Sequence, residues 1–372
     1  MIIRKLPEIC EIKTGKRDAN HANPSGKYRF YTCASQYSMC DTFSFSGESI
    51  IVPGNGDIGL VFYYNGAFEA YQRTYVLSNI KICPKYLYYH LVYKWRHINS
   101  DKQYGSTVRY VRMSNFTSYE LPVPSLDEQE RIVARIEELF SELDNGVETL
   151  RKTKQQLAVY RKAVLKHAFA PKEDWRKATV ADIGEVNLGR QRSPKHVSND
   201  YPTKYIRAAN ITENGLALDD VLEMEFSPEE RKKYYLHNGD IVISEASGSA
   251  SQVGKPAIWR GEIPNCCFQN TVIRHRVISE HPEYVFWYYK YLYVCGYFSK
   301  IVGGVGINHL GAKNFASIEV DLAPVEKQLQ VVTQIETRLS LCDSIEKTVD
   351  TALQQAEAMR QSILKHAFEG KL

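Results

Sequence analysis

Residues 126–169 read LDEQERIVARIEELFSELDNGVETLRKTKQQLAVYRKAVLKHAF, and residues 325–368 read VEKQLQVVTQIETRLSLCDSIEKTVDTALQQAEAMRQSILKHAF. Both stretches end in Leu-Lys-His-Ala-Phe, and residues 105–169 can be laid over residues 304–368 at a constant offset of 199 without a gap. A fixed offset held over that distance marks a duplicated structural unit. The period is too long for a solenoid repeat of about 20–50 residues. We therefore expect each unit to be a whole domain with a connecting helix.

The first stretch has the pattern of a long coiled-coil helix. Apolar residues recur seven positions apart, the spacing of a seam between two helices, at Ile136, Leu143, Leu150, Leu157 and Val164. Before the helix, the Ser125 hydroxyl and Glu128 fit a capping box, and Pro171 predicts where the helix stops. At about 1.5 Å per residue, such a helix is about 60 Å long, which is more than a small domain needs for itself.

The second stretch repeats this seam more weakly. Its apolar stripe consists of Ile335, Leu339, Val349, Leu353 and Ile363. Matching places on the stripe are held by Cys342, Glu346 and Ala356. Two amphipathic helices of equal length can cover each other's stripes, which neither can do alone. We predict that they pair antiparallel, which relates the two halves by an approximate two-fold axis and places one globule at each end.

The segments between the helices predict mixed structure. In the first segment the expected strands are 27–32, 49–52, 60–64 and 74–80. In the second they are 204–208, 240–244 and 272–277. An aromatic-rich helix follows in each, at residues 85–91 and 282–289. The predicted fold class is therefore α+β, with two mixed α/β domains separated by two long antiparallel coiled-coil helices in a pseudo-two-fold arrangement.

The expected boundaries follow from these elements. The domains comprise residues 1–124 and 171–322, and the long helices comprise residues 125–170 and 323–372. The starts of the two domains also resemble each other, since the pattern Ile-x-Glu-x-x-x-Gly occurs at residues 9–15 and again at offset 174. Because that offset is 25 smaller than 199, the second domain carries a net insertion of 25 residues. The helices are alike and the domains have diverged, as expected where a scaffold is shared and recognition differs.

Composition limits the class of protein. A chain of 372 residues with 44% hydrophobic content has room for two or three domains with real cores. The net charge of +4 permits a polyanionic partner without demanding one. A charge and a proline interrupt the N-terminus before any apolar run of signal length, and no stretch approaches about 18 apolar residues, so we expect a cytoplasmic protein without a membrane partner. The eight cysteines have no spacing typical of zinc ligands.

Motifs for catalysis are missing. Residues 54–59 fit a dinucleotide-binding fingerprint, but the β-like run at residues 60–64 follows where a helix is required. We interpret this segment as a glycine-rich turn or a DNA-facing loop. The sequence has no P-loop, no Asp/Asn-Pro-Pro-aromatic motif of an amine methyltransferase and no convincing metal-dependent nuclease cluster. We therefore predict no catalytic residue, no metal site and no cofactor in this chain.

Several loops combine cationic, amide and hydroxyl side chains, which suit contacts with phosphates and base edges. In the first domain the candidate DNA-binding residues are Lys16, Arg17, Gln72, Arg73, Lys102, Gln103, Ser106, Thr107 and Arg109. In the second domain they are Arg190, Gln191, Arg192, Lys195, Ser247, Ser249, Gln252, Gln269, Asn270 and Asn308. Residues 72–74 and 269–271 form a possible matching pair, each leading into a strand. The alternatives are a solvated charge run at residues 189–195 and a linker at residues 244–252.

The junction between domain and helix carries a resemblance to a known family. Residues 122–129 read Pro-x-Pro-x-Leu-x-Glu-Gln, and the heptad helix that follows ends in Leu-Lys-His-Ala-Phe at residues 165–169. With these motifs the chain resembles, over essentially its whole length, the specificity subunit of type I restriction-modification systems. The second junction, APVEKQ at residues 323–328, keeps Gln328 but departs from the rest of the pattern.

The resemblance implies a function. Members of that family are non-catalytic subunits in which two target-recognition domains alternate with two long helices. It implies that this chain reads a bipartite target in double-stranded DNA and docks two modification subunits, which bind S-adenosylmethionine and methylate adenine, and through them two restriction subunits. The rival hypotheses are a fused methyltransferase or nuclease, and a coiled-coil scaffold whose end domains bind proteins and not DNA.

Overall fold

The computed structural model describes residues 2–105, 108–191, 200–302 and 308–372. The chain folds as two compact units. Unit 1 comprises Met1–Arg151 and Asp350–Leu372, and unit 2 comprises Lys152–Val349. Each long helix thus contributes one segment to each unit. The predicted boundaries at residues 124, 170 and 322 divide the chain differently and stay a prediction.

Unit 1 begins with short strands that lead into the first long helix, which continues into unit 2 after Arg151. Its elements, in chain order, are β1 (Ile2–Lys5), α1 (Leu6–Ile9), β2 (Glu11–Thr14), β3 (Tyr28–Tyr31), β4 (Ser38–Cys40), β5 (Glu48–Pro53), β6 (Phe62–Asn65), β7 (Phe68–Ala70), β8 (Thr74–Ser78), α2 (Pro84–Asn99), α3 (Met113–Thr117), β9 (Glu120–Val123) and α4 (Leu126–Ala168). The helix predicted to start after Ser125 and to stop before Pro171 is α4.

Unit 2 repeats this order with additional elements. These are β10 (Arg176–Thr179), β11 (Gly184–Leu188), β12 (Pro202–Ile206), β13 (Ile211–Thr212), β14 (Gly215–Leu216), β15 (Leu222–Glu225), α5 (Pro228–Tyr234), β16 (Ile241–Ser244), β17 (Ala246–Ser247), β18 (Pro256–Ile258), β19 (Cys267–Phe268), β20 (Val272–Val277), α6 (Pro282–Val294), α7 (Tyr297–Ile301), β21 (Asn308–His309), α8 (Ala312–Ala316), β22 (Glu319–Leu322) and α9 (Val325–Phe368). The aromatic-rich helices predicted in the two domains are α2 and α6.

The two units share one sheet topology. Unit 1 has an antiparallel sheet in the order β2-β8-β5-β6 and a second sheet in the order β4-β3-β7, in which β3 and β7 are parallel. Unit 2 has the orders β11-β20-β16-β18 and β15-β12-β19, in which β12 and β19 are parallel. In each unit a two-stranded ribbon, β1-β9 or β10-β22, joins the beginning of the domain to its end. The predicted duplication is therefore present in the topology as well as in the sequence.

Strand β5 shows why these runs fold as buried strands. Five of its six residues are buried, and the last four are apolar, as expected for a strand that is covered on both faces. Successive side chains of a strand point to opposite faces: Ile50 packs with Leu87 of α2, whereas Ile51 packs with Phe68 of β7. In unit 2, Ile241 and Ile243 of β16 share a core with α6, while Val242 lies in a separate cluster on the other face.

The long helices pair antiparallel within each unit. In unit 1, Ile136 near the start of α4 packs with Leu364 and Ala367 near the end of α9. In unit 2, Leu165 at the end of α4 shares a core with Val332 near the start of α9. The start of one helix meets the end of the other in both cases, which confirms the predicted antiparallel pairing.

Repeated residues form the ion pairs between these helices. Arg161 donates from Nη2 to Asp343 at 2.7 Å and to Glu346 at 2.9 Å in unit 2. In unit 1, Arg360 donates to Asp144. Because Arg360 and Asp343 stand 199 positions after Arg161 and Asp144, each repeat pairs its arginine with the aspartate of the other. Partly exposed ion pairs add little stability. The exchange of equivalent partners shows that equivalent positions of the two helices lie opposite each other in both units.

The capping box predicted before α4 is formed only in part. The Ser125 hydroxyl accepts from the Glu128 N–H at 3.4 Å, as predicted, but the Glu128 carboxylate binds Arg131 at 2.7 and 2.9 Å instead of reaching back to the cap.

Across the described ranges, each helix is too short or too polar to cross a bilayer.

Candidate nucleic-acid interface

Three segments of unit 1 meet beyond the end of β5. The Gly54 N–H donates to the Arg73 carbonyl oxygen at 2.8 Å, and the Val111 N–H donates to the Gly54 carbonyl oxygen at 2.8 Å. A Cβ on Gly54 would lie 2.4 Å from the Arg73 carbonyl oxygen, so only glycine permits this approach. The glycine-rich segment predicted as a turn therefore lies beside the turn before β8 and the segment before α3.

A cavity of about 420 Å³ lies at this junction. Its wall carries two guanidinium groups, an amide and two phenols, and the lining residues are Gly54, Gln72, Arg73, Tyr75, Tyr110, Val111 and Arg112. The Arg112 guanidinium stands 4.0 Å from the centroid of the Tyr104 ring and donates from Nη2 to the Tyr110 hydroxyl at 2.9 Å. The hydrogen bond with Tyr110 raises the pKa of Arg112, and an arginine side chain is charged at neutral pH in any case. Cationic and aromatic groups of this kind suit nucleic acid.

Two described candidates of the first domain line this cavity, and others are hydrogen-bonded to segments next to it. Gln72 and Arg73 line it directly. The Gln72 N–H donates to the Arg17 carbonyl oxygen at 2.9 Å, which places the exposed Lys16–Arg17 loop alongside. The Arg109 carbonyl oxygen accepts from the Gly56 N–H at 3.2 Å.

The remaining candidates of this domain lie in the connection from α2 to α3. Lys102 is exposed, and its carbonyl oxygen accepts from Asn115 Nδ2 at 3.1 Å. Gln103 is half-buried and precedes Tyr104. Ser106 and Thr107 lie outside the described residues.

The Arg17 side chain already has an internal partner. Its Nε lies 3.3 Å from the carboxylate of Glu69, a fully buried residue that also accepts from the Ser44 hydroxyl at 2.7 Å. A buried carboxylate is stable only when paired or hydrogen-bonded. Contact of Arg17 with DNA therefore stays a prediction, and its guanidinium has a structural role in any case.

Unit 2 builds the same junction with different side chains. The Glu245 N–H donates to the Thr271 carbonyl oxygen at 2.9 Å, and the Leu310 N–H donates to the Glu245 carbonyl oxygen at 2.9 Å. Next to it, β17 pairs with β21, which brings the candidates Ser247 and Asn308 opposite each other.

The basic loop predicted at residues 189–195 starts with a buried arginine. Arg190 is buried, its Nε donates to Glu230 at 2.6 Å, and its guanidinium lies 5.1 Å from the centroid of the Phe226 ring. Gln191 is exposed, and Arg192 and Lys195 lie outside the described residues. Contact of Arg190 with DNA would require it to leave Glu230 and stays a prediction.

The remaining candidates surround this loop and the junction. The Asn270 N–H donates to the Arg190 carbonyl oxygen at 3.0 Å, and Gln269 pairs with Arg190 in an isolated bridge. The Ser249 hydroxyl lies 2.9 Å from that of Ser251, and the Gln252 side chain accepts from Lys255. The proposed match of residues 72–74 with 269–271 is wrong by one position, because Arg73 corresponds in its hydrogen bond to Thr271 and not to Asn270.

Sequence reasoning missed side chains that lie at the two junctions. They are Tyr104, Tyr110, Arg112, Glu245 and His309. The offset of 199 could have singled out Tyr110 and His309, which occupy equal positions of the repeat. It could not align Gly54 with Glu245, since the inserted residues of the second domain separate them. Among the described residues, no group of three or more His, Cys, Asp or Glu side chains is arranged to hold a metal ion.

The fold and these junctions define a class: a duplicated α+β protein in which two globular domains with polar loop clusters alternate with two long helices. Residues 2–157 and 172–355 match the family described as Type I restriction modification DNA specificity domain. The chain belongs to this family.

Individual relatives agree with this assignment. The chain is 26% identical over 401 residues to the Type I restriction enzyme EcoDI specificity subunit of Escherichia coli, covering 99% of this chain and 88% of that protein. It is similar to a chain from a structure on complex assembly and conformational transition of the type I R-M system, with a TM-score of 0.75, 16% identity and coverage of 100% and 98%. The crystal structure of the HsdS subunit from Thermoanaerobacter tengcongensis gives a TM-score of 0.60 at 16% identity, with coverage of 100% and 97%.

At these identities the solved structures show the fold, and the family match carries the function. The resemblance stated from the sequence and the predicted fold class are confirmed. The predicted role in DNA sequence specificity, as a non-catalytic recognition component, is confirmed by the family and by the naming of its members as specificity subunits.

Proposed function

We propose that this chain is the cytoplasmic recognition subunit of a type I restriction-modification complex and reads a bipartite sequence in double-stranded DNA, one half-site with each unit. The observation that carries this proposal is the duplicated junction. The same main-chain hydrogen bonds occur at Gly54 and Glu245, but the side chains around them differ. A shared scaffold with different polar groups suits the reading of two different short sequences.

The complex is proposed to contain two modification subunits, which bind S-adenosylmethionine and methylate adenine, and two restriction subunits held through them. This chain contributes no cofactor. The long helices offer the docking surface: Leu341 is 60% exposed and Val159 is 69% exposed, although the opposite stripe of each helix is covered. Scattered exposed apolar residues are ordinary, but on two paired helices they suit a protein partner.

Exchange of residues 1–124 for those of another family member tests the reading of two half-sites. Methylated adenines would be mapped in DNA from cells that carry the complete system with either the original or the exchanged chain. We expect one half-site to change and the other to stay, because unit 2 is untouched. A change in both half-sites, or in neither, would contradict one half-site per unit.

Salt dependence separates this function from the protein-binding scaffold. Contacts with phosphates release counterions, so the logarithm of the affinity falls with the logarithm of the salt concentration by about 0.9 per phosphate contacted. We expect the assembled complex to show such a slope on duplex DNA carrying its target. A complex that assembles but binds DNA negligibly at low salt would support the scaffold instead.

Leu341→Asp tests the docking surface. Burying a leucine at an interface contributes about 1.5–3 kcal/mol, so a charge there is expected to weaken association with the modification subunit at least tenfold. The unfolding temperature of the free chain should not change, because Leu341 is largely exposed. Ser340→Asp introduces the same charge at a neighbouring exposed position that is already polar. Equal association of the L341D chain and the original chain, measured by titration calorimetry, would place docking elsewhere.

A further inference from the structure

The hydrogen bonds at the two junctions define which residues correspond. Gly54 and Glu245 each donate to the turn before a central strand, and each accepts from the segment before a short helix. Those bonds pair Arg73 with Thr271 and Val111 with Leu310. The neighbours of the last pair, which obey the offset of 199, match Tyr110 with His309 and Arg112 with Gly311. The sequence alone does not align all five pairs, because the offset between the two units changes along the chain.

At the matched positions, unit 1 presents a cationic surface. Gly54 contributes no side chain, which leaves space for the cavity of about 420 Å³, and Arg73 and Arg112 stand on its wall. Arg112 is exposed, and two tyrosines contact its guanidinium group. Its guanidinium carbon lies 4.0 Å from the centroid of the Tyr104 ring, and its Nη2 donates to Tyr110 at 2.9 Å. A planar guanidinium held in this way can donate two parallel hydrogen bonds, as the acceptor pair O6 and N7 of guanine requires.

At the same positions, unit 2 presents an acid and an imidazole. Glu245 is buried, and its carboxylate lies 3.1 Å from Nδ1 of His309, whose side chain is 59% exposed. An ionised carboxylate only accepts hydrogen bonds, so Nδ1 carries the hydrogen in this contact. In the neutral ring, Nε2 is then an acceptor. The exocyclic amino groups of adenine and cytosine are the donors that a base edge offers to such a nitrogen in the major groove.

We propose that this junction is the base-reading centre of each unit. Arg112 contacts a guanine of the first half-site, and His309 accepts from the amino group of an adenine or cytosine of the second. Glu245 is a positioning residue, since it acts through His309, and Tyr104 and Tyr110 have the same role for Arg112. This inference rests on the proposed function and deepens it, because it states which base edge each unit selects.

The test uses the complete complex and a library of duplexes with every half-site base randomised, with methylation read by sequencing. Arg112→Ala is expected to lower discrimination at one guanine of the first half-site by about ten- to a hundredfold and to leave the second half-site unchanged. His309→Ala is expected to act at one adenine or cytosine of the second half-site alone. Arg112→Lys keeps the charge and loses the planar fork, so affinity should be retained while discrimination falls.

Glu245 is tested through the same readout. Glu245→Ala should relax the same base as His309→Ala, while Glu245→Gln, which still accepts from Nδ1, should restore the preference. A merely structural role would affect thermal unfolding instead of the choice at one base.

Arg4→Ala and His237→Ala serve as matched controls. Arg4 is exposed on β1 and pairs with Glu8, and His237 is exposed before β16, at the end of that strand opposite to Glu245. Both should leave every base preference unchanged. If Arg112→Ala weakens binding equally on all sequences, Arg112 contacts a phosphate and the inference is overturned, while the proposed function stands. An original complex that methylates without any sequence preference would overturn the proposed function itself.

Discussion

Phe169→Ala is expected to lower the free energy of unfolding by about 3–5 kcal/mol, the usual cost of removing a buried phenylalanine. Phe169 directly follows α4 and is buried in the core of unit 2. Its ring centroid lies 5.4 Å from that of Tyr284, 5.2 Å from that of Tyr288 and 5.6 Å from that of Tyr291. Truncation would leave a cavity between the end of α4 and the whole inner face of α6.

The effect should be local and can be measured locally. We expect the backbone amides of α6 to exchange with deuterium much faster in the F169A chain, while those of α2 in unit 1 keep their rates. His167→Ala is the control, because His167 is exposed at the same end of α4 and should change stability by at most about 0.5 kcal/mol. A loss below about 1 kcal/mol for Phe169→Ala would show that this ring does not hold α4 to the domain.

The repeat supplies a graded comparison. Phe368, the counterpart of Phe169, lies against Tyr86, His90 and Tyr93 of α2 at centroid distances of 5.4, 4.9 and 5.9 Å. It is only partly buried. Because less apolar surface is returned to water, Phe368→Ala should cost less than Phe169→Ala, and its faster exchange should appear in α2.

Gln328→Glu is expected to lower the free energy of unfolding by about 3–5 kcal/mol at neutral pH, as an uncompensated buried charge does. Gln328 is fully buried. Its Nε2 donates to the Ala323 carbonyl oxygen at 3.0 Å and also to the Glu280 carboxylate, while its Oε1 accepts from the His281 N–H at 3.0 Å. The substitution replaces the donor by a second carboxylate beside a buried one, which already forms an ion pair with Arg176.

The loss should depend on pH with a definite sign. Burial and the neighbouring Glu280 favour the neutral form of the introduced carboxyl, so its pKa in the folded chain lies above the unfolded value of about 4.3. A raised pKa contributes stability that is complete below the unfolded pKa and is lost as pH rises through the folded pKa. The stability of the Q328E chain relative to the original chain should therefore be highest near pH 4 and fall towards pH 8, as measured by urea unfolding.

Gln129→Glu is the matched control in unit 1. Gln129 holds the corresponding position, accepts from the Cys83 N–H at 2.9 Å and donates to the Pro124 carbonyl oxygen at 2.9 Å. Both partners are main-chain groups. Gln129→Glu therefore removes the hydrogen bond to the Pro124 carbonyl oxygen but does not replace a donor to another carboxylate. Its cost should be smaller and its dependence on pH weaker. Equal losses for the two variants across pH would mean that Glu280 does not govern the effect.

Gln129 and Gln328 show which features of a residue can be predicted from the sequence and which cannot. The repeat identified Gln129 and Gln328 as equivalent residues at the start of each long helix. Their partners before α2 and α6 lie more than forty positions away in the chain. A motif reveals that a residue recurs, but it does not reveal which distant main-chain group the side chain reaches.

The candidate interface likewise has features that the sequence predicts and features that only the structure shows. Loop composition directed attention to Gln72 and Arg73, which line the cavity, and their contact with DNA stays a prediction. Composition could not distinguish these from Arg17 and Arg190, whose guanidinium groups are engaged by Glu69 and Glu230. Whether an arginine is available to a ligand depends on the acids that folding brings to it, and both acids belong to segments remote in sequence.

By itself, the sequence determined the duplication, the two long helices, the main strands and the family. These features depend on periodicity, capping and turn chemistry, which act between residues close together in the chain. The tertiary structure alone decided that Gly54 stands where Glu245 stands, and that Arg112 lies beside the first and His309 beside the second. Those placements depend on hydrogen bonds between segments separated by insertions of unequal length, and no local pattern records them.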